Sequence, residues 1–142
     1  FSPDLPVLVV PDVHQDLGFL ERAAARAGRE GARLLFLGDV VDAIDPRWAG
    51  AAALRAVARA LPELAAGHGP GCAFIAGNHD VMALRVARSR AALLLAGEEA
   101  QVAKLDAAMP AAPGYAELLA EWPAEFLARW RLAEVAHGFL VS

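Results

Sequence analysis

Three short polar clusters in this sequence combine side chains that can bind divalent metal ions. They read Asp12-Val13-His14, Gly38-Asp39-Val40-Val41-Asp42 and Gly77-Asn78-His79-Asp80. Carboxylate oxygen, imidazole nitrogen and amide oxygen together suit ions such as Mn, Fe or Zn, and no cysteine accompanies them, which argues against a structural zinc site. The clusters therefore favour a catalytic metal centre.

The spacing within the clusters indicates how their side chains could bind two ions. Asp12 and His14 are two residues apart in an extended segment, so both side chains can lie on one side of a strand end. We expect these two residues to hold one ion, Asp39 to lie between that ion and a second one, and Asn78 to offer its amide oxygen to the second ion.

The elements that precede the clusters should bring them together. Each cluster directly follows a short apolar run, at 5–10, 34–37 and 72–76, which is typical of a buried strand. Amphipathic helices are predicted between the strands, one capped by Asp16 and one beginning at Asp45-Pro46. Such βαβ units form a parallel sheet in an α/β fold, and the carboxyl ends of its strands share one edge.

After Asp80 the pattern becomes helical. Apolar residues recur at helical spacing up to Gly97, and Pro110, Pro113 and Pro123 divide the remainder into about three further short helices. Residues 138–141 resume a strand pattern. We expect one partial domain over 1–142, with a helical insertion or cap over 89–135.

Three aromatic residues near the end of that insertion recur every four residues, namely Trp122, Phe126 and Trp130. An aromatic stripe at this period is more often part of a core than a platform for substrate.

In order along the chain, the motifs D-x-H, G-D-x-x-D and G-N-H-D resemble those of the calcineurin-like metallophosphoesterase family, most closely over residues 7–80. The resemblance implies that Asp12 and His14 hold the first metal, that Asp39 bridges and that Asn78 holds the second. It also implies that His79 faces the substrate as a proton donor, with Asp42 orienting its ring.

The reaction implied by this resemblance is hydrolysis of phosphomonoesters by attack of a metal-bridging hydroxide, on a phosphorylated small molecule or a phosphoprotein. Two alternatives stay open. The same metal centre could hydrolyse a phosphoanhydride, such as a nucleotide or a dinucleoside polyphosphate, or the chain could be a metal-poor scaffold without turnover.

The protein-phosphatase branch of the family carries Arg-Gly where this chain has Ala43-Ile44. Arg85, on the helix after the third cluster, is the candidate for binding the phosphate instead. Its neighbours Arg88 and Arg90 share that helix, where arginines are more often solvated charges.

Family members also supply metal-binding histidines from later strands. The sequence stops at Ser142 before any such motif, so we expect a fold that is incomplete at its C-terminus, completed by a missing C-terminal half or by another chain. His137-Gly138 is a weaker candidate for the third histidine motif, and His68, between two glycines, is expected to be structural or exposed.

Composition excludes several other classes. The formal net charge of −4 and the pI near 5.5 argue against a nucleic-acid polymer as partner. No apolar stretch is long enough to span a membrane and no signal peptide is recognisable, so a cytoplasmic location is the default expectation. The single cysteine, Cys72, cannot form an internal disulfide and is expected in the core.

Overall fold

A computed structural model of the chain describes residues 4–122 and the strand segments 130–131, 134–136 and 139–141. Four parallel strands form one sheet in the order β1-β2-β3-β4, comprising β1 Val7–Val10, β2 Arg33–Phe36, β3 Cys72–Ile75 and β4 Trp130–Arg131. Two further strands, β5 Glu134–Ala136 and β6 Phe139–Val141, pair with each other in antiparallel fashion. The predicted α/β fold with a parallel sheet is confirmed.

In the described part of the chain, five α-helices accompany the strands: α1 Leu17–Glu30, α2 Ala51–Gly67, α3 Asn78–Leu95, α4 Glu99–Ala108 and α5 Ala112–Glu121. As predicted, Asp16 caps α1, its side chain accepting a hydrogen bond from the Phe19 N–H at 2.7 Å. The core lies between the sheet and the helices, where the stacked rings of Phe36 and Phe74 have centroids 4.9 Å apart. Helix α5 packs against both α2 and α3.

The beginning of α2 differs from the prediction. Asp45 and Pro46 do start a helical turn, and the Asp45 side chain accepts from the Arg47 N–H at 2.9 Å. That turn is only a short 3₁₀ helix, Pro46–Trp48, because Ala49 is extended and Gly50 has a φ of 97°. Helix α2 begins after this break, with Gly50 as its N-cap.

The helical insertion predicted over 89–135 is also shorter than expected. Helices α4 and α5 agree with it, but β4 and β5 fall inside the predicted range. Strand β4 pairs in parallel with β3 through Phe74↔Trp130, so its backbone polar groups are satisfied by the sheet edge instead of within a helix. The last short helix, predicted after Pro123, falls on residues outside those described.

The aromatic residues at a spacing of four do not share one helix. Trp122 is the C-cap of α5 and Trp130 lies in β4, whereas Phe126 falls outside the described residues. Trp122 is nevertheless buried in the core, and its indole N–H donates to the Ala58 carbonyl at 2.8 Å, so its predicted packing role is confirmed.

Two smaller predictions also hold. His68 has a structural role, since its Nε2 lies 2.7 Å from the Ala32 carbonyl oxygen and thereby ties together the segments that lead into β2 and β3. Cys72 is half-buried and packs against the core, and its thiol donates to the Leu64 carbonyl at 4.0 Å. His137-Gly138 lies outside the described residues. Within the described part of the chain, no helix has the length and apolarity needed to cross a membrane.

Candidate metal centre

The segments that follow β1 and β2 are joined by backbone hydrogen bonds. The N–H groups of Val13 and His14 both donate to the Asp39 carbonyl, at 3.1 and 2.9 Å, and the Gln15 N–H donates to the Val40 carbonyl at 2.8 Å. The first two polar clusters therefore lie side by side at the carboxyl end of the sheet, as the parallel topology predicted.

Three of the predicted metal ligands form a compact group. Ligand atoms of Asp12, His14 and Asp39 all lie within 4.8 Å of one another. The His14 Nε2 is 3.8 Å from the nearer Asp12 carboxylate oxygen, and the Asp12 side chain is 57% exposed, so an ion can reach the group from solvent. Two carboxylates and one imidazole are a donor set that divalent transition ions accept.

The imidazole of His14 is oriented for metal binding. Its Nδ1 lies 2.8 Å from the Asp42 carbonyl oxygen and 3.2 Å from that of Val41. Because a carbonyl oxygen can only accept, Nδ1 carries a proton, and Nε2 is the ring nitrogen that could bind an ion. This arrangement, in which the distal nitrogen donates to a backbone carbonyl, is the usual support of a metal-bound histidine. The residues present therefore fit a divalent ion.

The backbone of these loops is strained. Four non-glycine residues have positive φ, namely His14 at 44°, Gln15 at 63°, Asp39 at 47° and Asp42 at 62°. Each such conformation costs on the order of 1–3 kcal/mol and persists only where surrounding contacts impose it. Strain of this kind concentrates at functional sites, and here it affects two of the proposed ligands and the proposed partner of His79.

Two glycines allow the middle and third clusters to approach. Gly38 has a φ of 99°, and a Cβ built on it would collide with the backbone of Gly77. A Cβ on Gly77 would in turn collide with the backbone and carboxylate of Asp39. The close approach lets the Asp39 carboxylate accept a hydrogen bond from the His79 N–H at 3.0 Å. The glycines of both motifs are thus required by packing.

Asp80 holds the third cluster to the middle one. Its side chain is buried, one carboxylate oxygen accepting from the N–H groups of Val40 at 2.8 Å and Val41 at 3.3 Å, the other from the Gly77 N–H at 3.0 Å. Burial raises the pKa of Asp80 to about 6, and the three N–H donors oppose that rise. The sequence alone does not predict a role for Asp80. Its place at the third position of α3, where a carboxylate commonly caps a helix, was the available signal.

His79 and Asp42 form the predicted pair. The His79 Nδ1 lies 2.7 Å from a carboxylate oxygen of Asp42, and their side chains are 38% and 27% exposed. This hydrogen bond raises the pKa of His79 above its ordinary value, while burial acts in the opposite direction. The ring of His79 meets that of His14 edge to face, with centroids 5.5 Å apart. The His79–Asp42 pair therefore adjoins the group formed by the predicted metal ligands.

Asp42 is also held by Gln15 and Tyr115, neither of which was predicted from the sequence. Gln15 is buried; its side-chain oxygen accepts from the Asp42 N–H at 3.1 Å and its amide donates to the Trp48 carbonyl at 2.9 Å. The hydroxyl of Tyr115 in α5 donates to the second carboxylate oxygen of Asp42. Gln15 directly follows D-x-H and could have been noticed, whereas nothing around Tyr115 in the sequence distinguishes it.

Asn78 and Arg85 stand apart from this network. Asn78 is the first residue of α3, not a loop residue, and is exposed; its connection to the ligand group runs through the backbone N–H of its neighbour His79. Asn78 and Arg85 both line an open groove of about 550 Å³ along α3. Arg90 is engaged elsewhere, since its guanidinium binds Asp106 through two hydrogen bonds of 2.9 and 3.0 Å.

Comparison with known families agrees with this arrangement. The family described as calcineurin-like phosphoesterase matches residues 5–136, which include all three clusters. Searches among curated proteins and among solved structures give no match. A match over nearly the whole chain, together with an Asp-His-Asp group suited to a metal ion, decides the class of protein. The chain belongs to the calcineurin-like phosphoesterase family, a family of metal-dependent phosphoesterases.

Proposed function

We propose that this protein hydrolyses phosphomonoesters, of either a phosphorylated small molecule or a phosphoprotein. The observation that carries the proposal is the group formed by Asp12, His14 and Asp39, whose ligand atoms lie within 4.8 Å of one another beside the His79–Asp42 pair. A metal-binding group next to a supported histidine would supply what ester hydrolysis needs. The ion would bind the phosphoryl group and activate the water that attacks phosphorus, and the histidine would protonate the leaving group.

In this proposal Asp12, His14 and Asp39 hold one divalent ion, and Asp39 and Asn78 contribute to a second. The mixture of oxygen and nitrogen donors suits Mn, Fe or Zn. Such ions, when bound, polarise phosphoryl oxygens and lower the pKa of coordinated water. Asp39 and Asn78 are only two protein donors, so we propose that a later part of the protein or another chain completes the second site.

His79 would act as the proton donor. Its Nδ1 is engaged by Asp42, which leaves the opposite ring nitrogen, Nε2, as the donor to a leaving alkoxide. The Asp42 carboxylate favours the protonated imidazolium and fixes the plane of the ring. The side chain of His79 is 38% exposed, so a substrate oxygen has access to it.

The first test combines metal binding with catalysis in one pair of variants. Asp39→Asn removes the negative charge of the proposed bridging ligand. Asp45→Asn makes the same chemical change later in the same segment, where the Asp45 side chain pairs with Arg47 and caps the 3₁₀ helix. Binding of Mn²⁺ is measured by calorimetry, and Mn²⁺-dependent hydrolysis of p-nitrophenyl phosphate is measured in parallel.

We expect Asp39→Asn to lower both metal affinity and kcat by at least about a hundredfold. Loss of a residue that only supports a metal ligand already costs up to about a hundredfold, and Asp39 is proposed as a ligand itself. Asp45→Asn should behave like the unaltered protein in both assays. Equal metal affinity and equal turnover in the two variants would overturn the proposed function.

A further inference from the structure

Tyr115 reaches the His79–Asp42 pair from a part of the chain that carries none of the motifs. It lies in α5, 73 positions after Asp42, and its ring is buried at 2% exposure. Its hydroxyl donates to one carboxylate oxygen of Asp42, while the other oxygen faces the His79 Nδ1 at 2.7 Å. The carboxylate is therefore held at both ends, by α5 on one side and by the histidine on the other.

The state of the hydroxyl agrees with a donor role. Burial, and then the hydrogen bond to Asp42, raise the pKa of Tyr115 above its ordinary value, so the phenol stays protonated under all physiological conditions. A phenol that always carries its proton can only donate to a carboxylate, and this bond defines which way the Asp42 carboxyl group is turned.

Tyr115 and Gln15, the two side chains that hold Asp42, lie next to each other in the structure. Both line a cavity of about 270 Å³ between the start of α2 and the turn into α5. The Tyr115 ring also packs in the hydrophobic core, so the core holds the ring while the hydroxyl reaches the Asp42 carboxylate.

We propose that Tyr115 is a positioning residue for the reaction, in which its hydroxyl fixes the Asp42 carboxylate and thereby aims the His79 imidazole at the leaving group. This inference rests on the proposed function, because it assigns a purpose to the orientation of the proton donor. It also gives α5 a part in the active site beyond packing on α2 and α3.

The test uses two esters that differ in their need for a proton donor. The p-nitrophenolate leaving group departs without protonation, whereas the phenolate of phenyl phosphate needs it more. Tyr115→Phe removes the hydroxyl and keeps the ring. We expect kcat for phenyl phosphate to fall about tenfold, a fraction of the full general-acid contribution, while kcat for p-nitrophenyl phosphate and both KM values change by less than about twofold.

The matched control is Trp122→Phe. It also removes a buried aromatic hydrogen-bond donor from the same helix, but that donor binds the Ala58 carbonyl in α2 and not Asp42. A general loosening of α5 would affect both variants alike and both esters alike. Selective loss on phenyl phosphate in Tyr115→Phe alone therefore separates positioning from packing, and thermal unfolding verifies that both variants fold.

A third measurement does not depend on turnover. In metal-free protein labelled with ¹⁵N-histidine, the Nδ1–H signal of His79 is assigned by its disappearance in His79→Gln, and its exchange with water is measured. Loss of a hydrogen bond to the charged Asp42 should accelerate this exchange at least about tenfold in Tyr115→Phe, and Trp122→Phe should leave it unchanged.

The outcomes divide cleanly between the two proposals. If the unaltered protein hydrolyses neither ester, the proposed function fails and the exchange measurement alone decides the role of Tyr115. Unchanged exchange in Tyr115→Phe would overturn the inference. An equal loss of kcat on both esters in Tyr115→Phe would also overturn it, if Tyr115→Phe causes the same loss in the His79→Gln variant. Faster exchange in Tyr115→Phe would support it, provided that adding Tyr115→Phe to His79→Gln causes no further loss of kcat.

Discussion

The two sides of the candidate site are supported very differently. On the side of β1 and β2, His14 is oriented by two backbone carbonyls, and the loops that carry it and Asp39 are joined by backbone hydrogen bonds. On the α3 side, Asn78 and Arg85 are exposed along an open groove. The first side is preorganised for an ion, whereas the second presents side chains that must be ordered when a ligand binds.

This difference shows that preorganisation came with backbone strain. The supported side contains four non-glycine residues with positive φ, whereas Asn78 and Arg85 lie in an unstrained helix. Holding a residue in the left-handed region requires compensating contacts, which Asp80, Gln15 and Tyr115 supply here. Predictions for individual residues can therefore be ranked by how many contacts depend on them.

The largest effect is expected on the preorganised side, from His14→Ala. Loss of this imidazole removes the only nitrogen donor of the Asp12, His14 and Asp39 group. We expect the affinity for Mn²⁺ to fall at least about a hundredfold, measured by calorimetry. His68→Ala is the control, because His68 also binds a backbone carbonyl but lies at the other end of the sheet.

The His68→Ala variant should bind Mn²⁺ normally and lose about 1 kcal/mol of unfolding free energy, the usual contribution of one hydrogen bond. If the two histidine variants bound Mn²⁺ equally well, the side of β1 and β2 would not be the metal site. The proposal that this side is preorganised for an ion would then be wrong.

An intermediate effect is expected from Asp80→Asn, which weakens the link between the two sides. The carboxylate accepts hydrogen bonds from three backbone N–H groups. An amide has only one acceptor oxygen, and its NH₂ group would face a backbone N–H that also needs an acceptor. We expect the free energy of unfolding to fall by about 2–3 kcal/mol, measured with urea.

The exposed Asp4→Asn change should stay within about 0.5 kcal/mol of the unaltered protein, as surface substitutions usually do. A loss for Asp80→Asn no larger than that of Asp4→Asn would show that the middle loop keeps its conformation without this anchor.

The smallest effect is expected on the open side, from Arg85→Ala. If Arg85 binds the substrate phosphate from an exposed helix face, its contribution is that of a solvent-screened ion pair, and KM for p-nitrophenyl phosphate should rise about two- to fivefold with little change in kcat. Arg88, exposed on the same helix but not lining the groove, is the control. A similar KM for Arg85→Ala and Arg88→Ala would remove Arg85 from the site.

Much of the fold could be predicted because its signals are local. The three apolar runs, the Asp16 cap and the polar residues after each strand depend on near neighbours in sequence, and the parallel arrangement follows from the βαβ order. The convergence of Asp12, His14 and Asp39 at one edge followed from that topology alone.

What could not be predicted depends on partners distant in sequence. The sequence pattern places Trp130 in the helical insertion. In the structure its backbone instead pairs with the edge of β3, and that edge cannot be known from the residues around Trp130. Gly50 separates the 3₁₀ turn from α2 because its φ is positive. A glycine permits this conformation but does not require it, so the break could not be predicted from the residue type.

By itself, the sequence identified the candidate metal ligands and the end of the sheet they occupy, because strand order and motif order are properties of the chain. Only the tertiary structure decided how those residues are held. The bonds from Asp80 to Val40, from Gln15 to Asp42 and from Tyr115 to Asp42 join residues 27 to 73 positions apart. Contacts over such separations arise from packing and leave no periodic trace in the sequence.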